Sequence, residues 1–154
     1  MAEISTGRIV LRILYWIPAL SLAITIFVLS SIPDFGVLER SFLTQHDKIT
    51  HLIVYGLLAW WVLWGWGKGM RGRPGIRRLI VAVAAVAVYG ISDEFHQTFI
   101  PGRLACVEDW LADMVGGALG SAAFAVVSRG MRTTEPPGGF KLPGTSADAT
   151  GDVE

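Results

Sequence analysis

Long uncharged stretches alternate with short polar ones along this chain, and their spacing predicts four membrane-spanning helices. Ile13 to Ser31 carries no charge, follows Arg8 and Arg12, and places a first span at about residues 10–31. It is longer than the apolar core of a signal peptide and has no convincing small-residue cleavage site, so it reads as an uncleaved transmembrane helix. Ser30, Ser31 and Pro33 mark its end. Pro33 to Gln45 reads as a loop of mixed character. A second span follows at about 48–66, apolar beyond its first turn and ringed at its far end by Trp60, Trp61, Trp64 and Trp66. Tryptophan favours the headgroup zone, so an interfacial belt explains this cluster better than ligand stacking. Gly67 to Arg78 is a Gly- and Arg-rich loop. The third span runs from about 76 to 97 and the fourth from about 109 to 128. Gly116 and Gly120 give the fourth a small-residue face on which another helix can approach closely, within one chain or between subunits of an oligomer. Thr133 to Glu154 is too poor in apolar residues to fold alone and reads as a disordered tail behind a 1–132 domain.

Composition agrees with a bilayer as the solvent. The chain is 52% hydrophobic and 17% charged, where a soluble domain carries about a quarter charged residues. Mean hydropathy is +0.50. A net charge of zero argues against a nucleic-acid partner. Cys106 is the one cysteine, so no intrachain disulfide can form. No activating base stands out beside it, and it is given no role. With four spans, Arg8, Arg12, Lys68, Arg71, Arg73, Arg77, Arg78, Arg129, Arg132 and Lys141 fall on one side, and Arg40, Lys48 and Arg103 on the other. This asymmetry predicts an all-α integral membrane four-helix bundle with both termini cytoplasmic, multi-pass in the inner (cytoplasmic) membrane.

The chemistry gathers where polar residues interrupt the oil. Asp93 to Asp113 holds adjacent carboxylates, a Pro-Gly-Arg turn and two Asp residues four apart. At 1.5 Å rise per residue, His51, Asp93 and Asp113 each lie roughly 21–22 Å from the cytoplasmic end of their span. Three ionisable groups on three helices therefore share one depth. Their faces agree as well. Asp47, His51 and Tyr55 form one stripe; Tyr89, Asp93 and Gln97 a second; Asp109, Asp113, Gly116 and Gly120 a third. Lipid cannot satisfy polar stripes, so they should face one another around a polar pocket open to the outside. Six acids (Asp47, Asp93, Glu94, Glu108, Asp109, Asp113) outnumber Lys48 and Arg103 there. Each carboxylate held at mid-bilayer costs on the order of 3 kcal/mol, which a purely structural bundle has no reason to accept.

Each candidate has a functional and a structural reading. His51 either satisfies Asp47 one turn away or serves in catalysis, and an Asp/His pair at this spacing also suits a divalent cation. There is no compact H-E-x-x-H signature, so no residue is assigned as a metal ligand and the cofactor stays unknown. Asp93 and Glu94 are about 100° apart on a helix, so only one should face the pocket squarely; Asp93 is favoured, with Glu94 directed to Arg103 or the interface. Paired acids suit general acid–base work, and they equally suit a bonded network that locks helix packing. Arg103 after Pro101-Gly102 either clamps a lipid phosphate or neutralises Asp109 or Glu94. Tyr55 and Gln97 donate to a substrate or to neighbours. His96 has no assigned partner. The expected reactive groups are thus Asp93, His51, Asp113, Asp47 and Glu94, with Arg103, Gln97, Tyr55 and Asp109 binding substrate.

Asp47-Lys48-x-x-His51-x-x-x-Tyr55, then Asp93-Glu94-x-x-Gln97 with Pro101-Gly102-Arg103, then Asp109-x-x-x-Asp113-x-x-Gly116 resembles the VanZ family of small bacterial membrane proteins. The resemblance covers roughly Ser30 to Gly120. One departure is Asp113, where that family often has Asn, so this chain carries an additional acid. The family's founder is associated with teicoplanin (lipoglycopeptide) resistance, and the resemblance implies a resistance-linked or envelope-linked membrane protein without supplying a reaction. Three functions are compatible: an enzyme acting on an envelope lipid or lipid-linked intermediate, a non-catalytic binding or shielding protein, and a small transporter. The transporter ranks last, because no span is interrupted at its midpoint and the cytoplasmic half has no polar path.

Overall fold

The computed structural model describes residues 10, 12–33, 40–67 and 74–130, and the side chains of 40–47 are not among those described. Four helices account for most of it: α1 (Ile17–Ser30), α2 (Arg40–Gly67), α3 (Ile76–Gln97) and α4 (Val107–Gly130). The described residues are all-helical with turns, and no strand occurs among them. Three helices are long and apolar enough to cross a membrane: Lys48–Gly67 within α2, α3 and α4. The predicted tail, 133–154, lies outside the described residues, as does half of the Arg-rich loop.

Two elements depart from expectation. The first span is not one helix. The chain turns at Tyr15–Trp16 and restarts at Ile17 with Pro18 in its first turn. Proline has no N–H to give and its ring clashes with the carbonyl four residues back, so a helix running through Pro18 is interrupted there. The 14 residues of α1 rise about 21 Å, short of a hydrocarbon core roughly 30 Å thick. Ile13 and Leu14, beyond the turn, continue the exposed apolar surface. The second departure is the expected loop to Gln45, which ends early because α2 already begins at Arg40. No Gly or Pro occurs between Arg40 and Tyr55, and polarity alone does not stop a helix; it only takes the helix out of oil. With 28 residues, α2 extends about 42 Å and outruns the apolar slab.

The bundle is apolar outside and polar at selected points inside. Large exposed side chains include Ile24, Ile80, Val88, Leu119 and Val126, while Asp93, Gln97, Asp113, Ser121 and Ser128 are buried. That is the arrangement a lipid solvent requires. Tyr55, Leu58, Ala59, Val86 and Ile26 form one core cluster, and Leu63, Ala82 and Phe124 another nearer the Gly67 end. Trp60 meets Phe124 edge-on, ring centroids 5.2 Å apart, so part of the tryptophan cluster is core packing as well as belt.

The closest seam joins α2 and α4. A Cβ on Gly116 would run into the Leu52 carbonyl oxygen, and one on Gly120 into that of Gly56. Backbone touches backbone here, as the small-residue face predicts. This contact sets the register that brings the His51 level of α2 against the Asp113 level of α4.

Candidate functional site

The three polar stripes meet near the Gln97 end of the bundle. On one side, Asp93 is 3% exposed and accepts three hydrogen bonds. Ser30 Oγ donates to Oδ1 at 2.6 Å, and Tyr55 OH and Gln97 Nε2 donate to Oδ2 at 3.2 and 3.1 Å. One carboxylate thereby ties α1, α2 and α3 together. On the other side, Asp113 is fully buried, and its Oδ1 lies 2.9 Å from His51 Nδ1. With Asp113 ionised the carboxylate only accepts, and Nδ1 then carries the hydrogen of this bond. Asp113 Oδ2 has no hydrogen-bond partner among the described residues and lies against Gly90, where a Cβ would sit 2.5 Å from it. Nothing in the sequence singled out Gly90, yet only a residue without a side chain leaves this space. The two halves connect through rings: His51 stacks on Tyr55 at 5.7 Å between centroids.

Glu94 corrects an expectation. It does not reach Arg103 or the interface. It is 8% exposed, and its Oε2 accepts from the Cys106 backbone N–H at 2.7 Å. Both neighbouring acids are buried because α3 is flanked on two sides: the Asp93 face meets α1 and α2, and the face 100° round meets α4. Carboxylate and imidazole atoms of His51, Glu94 and Asp109 lie within 4.8 Å of one another. Asp47 belongs to α2, and its side chain is outside those described.

Arg103 pairs with neither Asp109 nor Glu94. Its Nε donates to the Ile32 carbonyl at 3.2 Å and a terminal nitrogen to that of Leu29 at 3.4 Å. The last carbonyls of a helix lack intrahelical donors, and a cation there also complements the helix dipole. The turn before it depends on Gly102, whose φ of 81° favours glycine. His96, unassigned from sequence, lies 2.8 Å from Ser31 Oγ and stacks on Phe27 at 4.4 Å. Trp110, also missed, donates from Nε1 to the Ala87 carbonyl at 3.0 Å and joins α4 to α3. Cys106 donates its thiol hydrogen to Glu108, which pushes the thiol pKa up and keeps sulfur protonated.

A cavity of about 140 Å³ opens among these groups, with Ser30, His51, Tyr55, Asp93, Gln97 and Arg103 on its wall beside apolar Ile26, Leu29 and Val54. His51, Asp93, Gln97, Tyr55 and Arg103 thus share one space. Asp113 stands behind His51, and Glu94 and Asp109 flank it.

The threefold acceptance by Asp93 has a measurable consequence. Asn in its place turns one acceptor oxygen into a donor, so the three partners must rearrange: a hydroxyl such as Ser30 reverses and gives its hydrogen to the Phe27 carbonyl, or a partner turns away. Asp93→Asn is expected to lower stability by about 1–3 kcal/mol, read as an earlier thermal transition in detergent. An unchanged transition would mean that Ser30, Tyr55 and Gln97 do not depend on the carboxylate.

No curated protein and no solved structure matches the chain. The family model described as VanZ/LLP1 matches residues 4–128, which reaches into every helix and takes in every residue of the cavity. By that match, and with the paired acid and histidine motifs brought together by a helical membrane-type fold, the chain belongs to the VanZ/LLP1 family.

Proposed function

We propose that this protein acts on an envelope lipid or lipid-linked intermediate, from the outer side of a bacterial cytoplasmic membrane, with its chemistry centred on His51. One observation carries the reading. An imidazole oriented by a buried carboxylate stands on the wall of a cavity, inside a bundle whose other surfaces suit lipid. Intramembrane ionisable groups that face a cavity are rarely structural alone. A carboxylate on the far ring nitrogen fixes the tautomer and angle of a reactive histidine.

In this reading Asp113 positions His51. Asp93, already committed to three donors, shapes the wall with Tyr55 and Gln97. Arg103 sits at the rim with its guanidinium partly engaged by α1, placing positive charge where an anionic headgroup would enter. Apolar Ile26, Leu29 and Val54 accept the start of the acyl or polyprenyl chain. The link to lipoglycopeptide resistance comes from the family.

The test is the lipid profile, by mass spectrometry, of cells with and without the gene. Loss of the gene is expected to raise one envelope lipid or lipid-linked species. Wild type should restore the profile, and His51→Gln, which keeps a donor for Asp113, should not. A profile unchanged by deletion would sink the reading in favour of a binding or shielding protein without chemistry.

A further inference from the structure

We propose that His51, Glu94 and Asp109 hold a divalent first-row transition ion of the Zn²⁺/Mn²⁺ class between α2, α3 and α4. The inference rests on the reading of His51 given above and names what His51 carries. Each of the three residues contributes one ligand atom, and these atoms lie within 4.8 Å of one another. Bonds of about 2.0–2.2 Å to a central ion would draw them to roughly 3.4 Å apart, an adjustment on the scale of side-chain torsions.

Three further observations point to a cation. The first is Glu94 itself. It is 8% exposed, its Oε2 is taken by the Cys106 N–H, and its Oε1 has no hydrogen-bond partner among the described residues. A buried carboxylate oxygen without a partner is costly, and a metal bond relieves that cost. The second is Asp113. A metal-bound histidine regularly gives its other ring N–H to a carboxylate, which orients the ring and raises its basicity. The 2.9 Å contact of Asp113 Oδ1 with His51 Nδ1 has this form, with Nε2 the nitrogen that would bind the ion. The third is charge. Glu94 and Asp113 both lie by one imidazole, which even when protonated offsets only one of them.

Donor chemistry narrows the class. One imidazole and two carboxylates suit Zn²⁺ or Mn²⁺, whereas Mg²⁺ and Ca²⁺ prefer oxygen alone. Cys106, bonded to Glu108, supplies no thiolate. Three protein ligands leave a coordination position open, as catalytic sites do. Because His51 also lines the cavity, the ion would stand beside any headgroup bound there and act on it as a Lewis acid.

The experiment uses the full chain in detergent, stripped with chelator and titrated with Zn²⁺ or Mn²⁺ alone. Metal content is read by mass spectrometry and Mn²⁺ binding by electron paramagnetic resonance. About one equivalent per chain is expected. Glu94→Gln and His51→Gln should each weaken binding by at least about 100-fold, and Asp113→Asn by about 10- to 100-fold. Thermal transitions without metal establish that each variant is folded, and Asp109→Asn replaces any that is not. Absence of stoichiometric binding, or stoichiometric binding that folded Glu94→Gln retains unchanged, overturns the proposal. The two readings fail separately. A gene-dependent lipid profile without metal binding removes the ion alone, and metal binding with an unchanged profile removes the lipid alone.

Discussion

Gly120→Val is expected to leave no folded bundle in detergent at temperatures where the wild-type protein is intact. A Cβ at this position would collide with the Gly56 carbonyl oxygen and sit 2.6 Å from its carbonyl carbon. The obstacle is backbone, so no side chain can swing aside. Relief requires α2 and α4 to part, and the same seam carries Gly116 against Leu52. Parting it would also pull His51 away from Asp113, whose contact bridges the two helices at 2.9 Å. Overpacking in a well-filled interior costs about 1–3 kcal/mol and occasionally more. The gain of up to about 1 kcal/mol in helix propensity on replacing Gly does not offset that. Gly120→Ala should fall toward the upper end of the range, and the two further methyl groups of Val should exceed it. Gly67→Ala is the control, since a Cβ there meets nothing within 4 Å; a change within about 0.5 kcal/mol is expected. The measurement is thermal unfolding followed by tryptophan fluorescence. A Gly120→Val variant as stable as wild type would mean that the helices do not touch at this level.

His51→Ala is expected to cost about 3–5 kcal/mol of stability near neutral pH, because it strands a buried acid. Asp113 is 0% exposed, and with Oδ2 already unpartnered it would lose its Oδ1 contact as well. The reverse deletion should be milder, since a lone imidazole can be neutral. Adding Asp113→Ala to His51→Ala should therefore recover part of the loss, with a coupling of about 0.5–3 kcal/mol in a double-mutant cycle. Single-variant losses that simply add would show that the two side chains do not depend on each other. His51→Gln retains a donor toward Asp113 and is the appropriate change for separating function from stability.

Much of the site was legible because membrane helices obey simple arithmetic. Rise per residue placed His51, Asp93 and Asp113 at one depth, and i, i+4 spacing placed them on stripes. Since lipid penalises a polar stripe, those stripes had few places to go, and His51 does meet Asp113. Gly116 and Gly120 were legible for the same reason. What sequence spacing cannot supply is the rotation and order of helices about the bundle axis. Spacing alone aims Glu94 at Arg103 or the interface, because it considers only one flank of α3. Ser30 looked like the end of a span, yet it bonds Asp93 from another helix. The partners of Arg103 are backbone carbonyls, which every residue has and no motif marks. The break before Ile17 was legible in Pro18 and went unread, since hydrophobicity continues through it.

The fastening of α1 also bears on the order in which the chain is assembled. Its end is held by Asp93 and Arg103, 63 and 71 residues further along. Because α1 precedes both in the chain, it must wait for partners synthesised after it. Its own polar groups can tolerate the delay: Ser21, Thr25 and Ser31 each donate to a carbonyl three or four residues back in the same helix. This helix thus keeps its own hydroxyls bonded until the later partners, Asp93 and Arg103, latch its end.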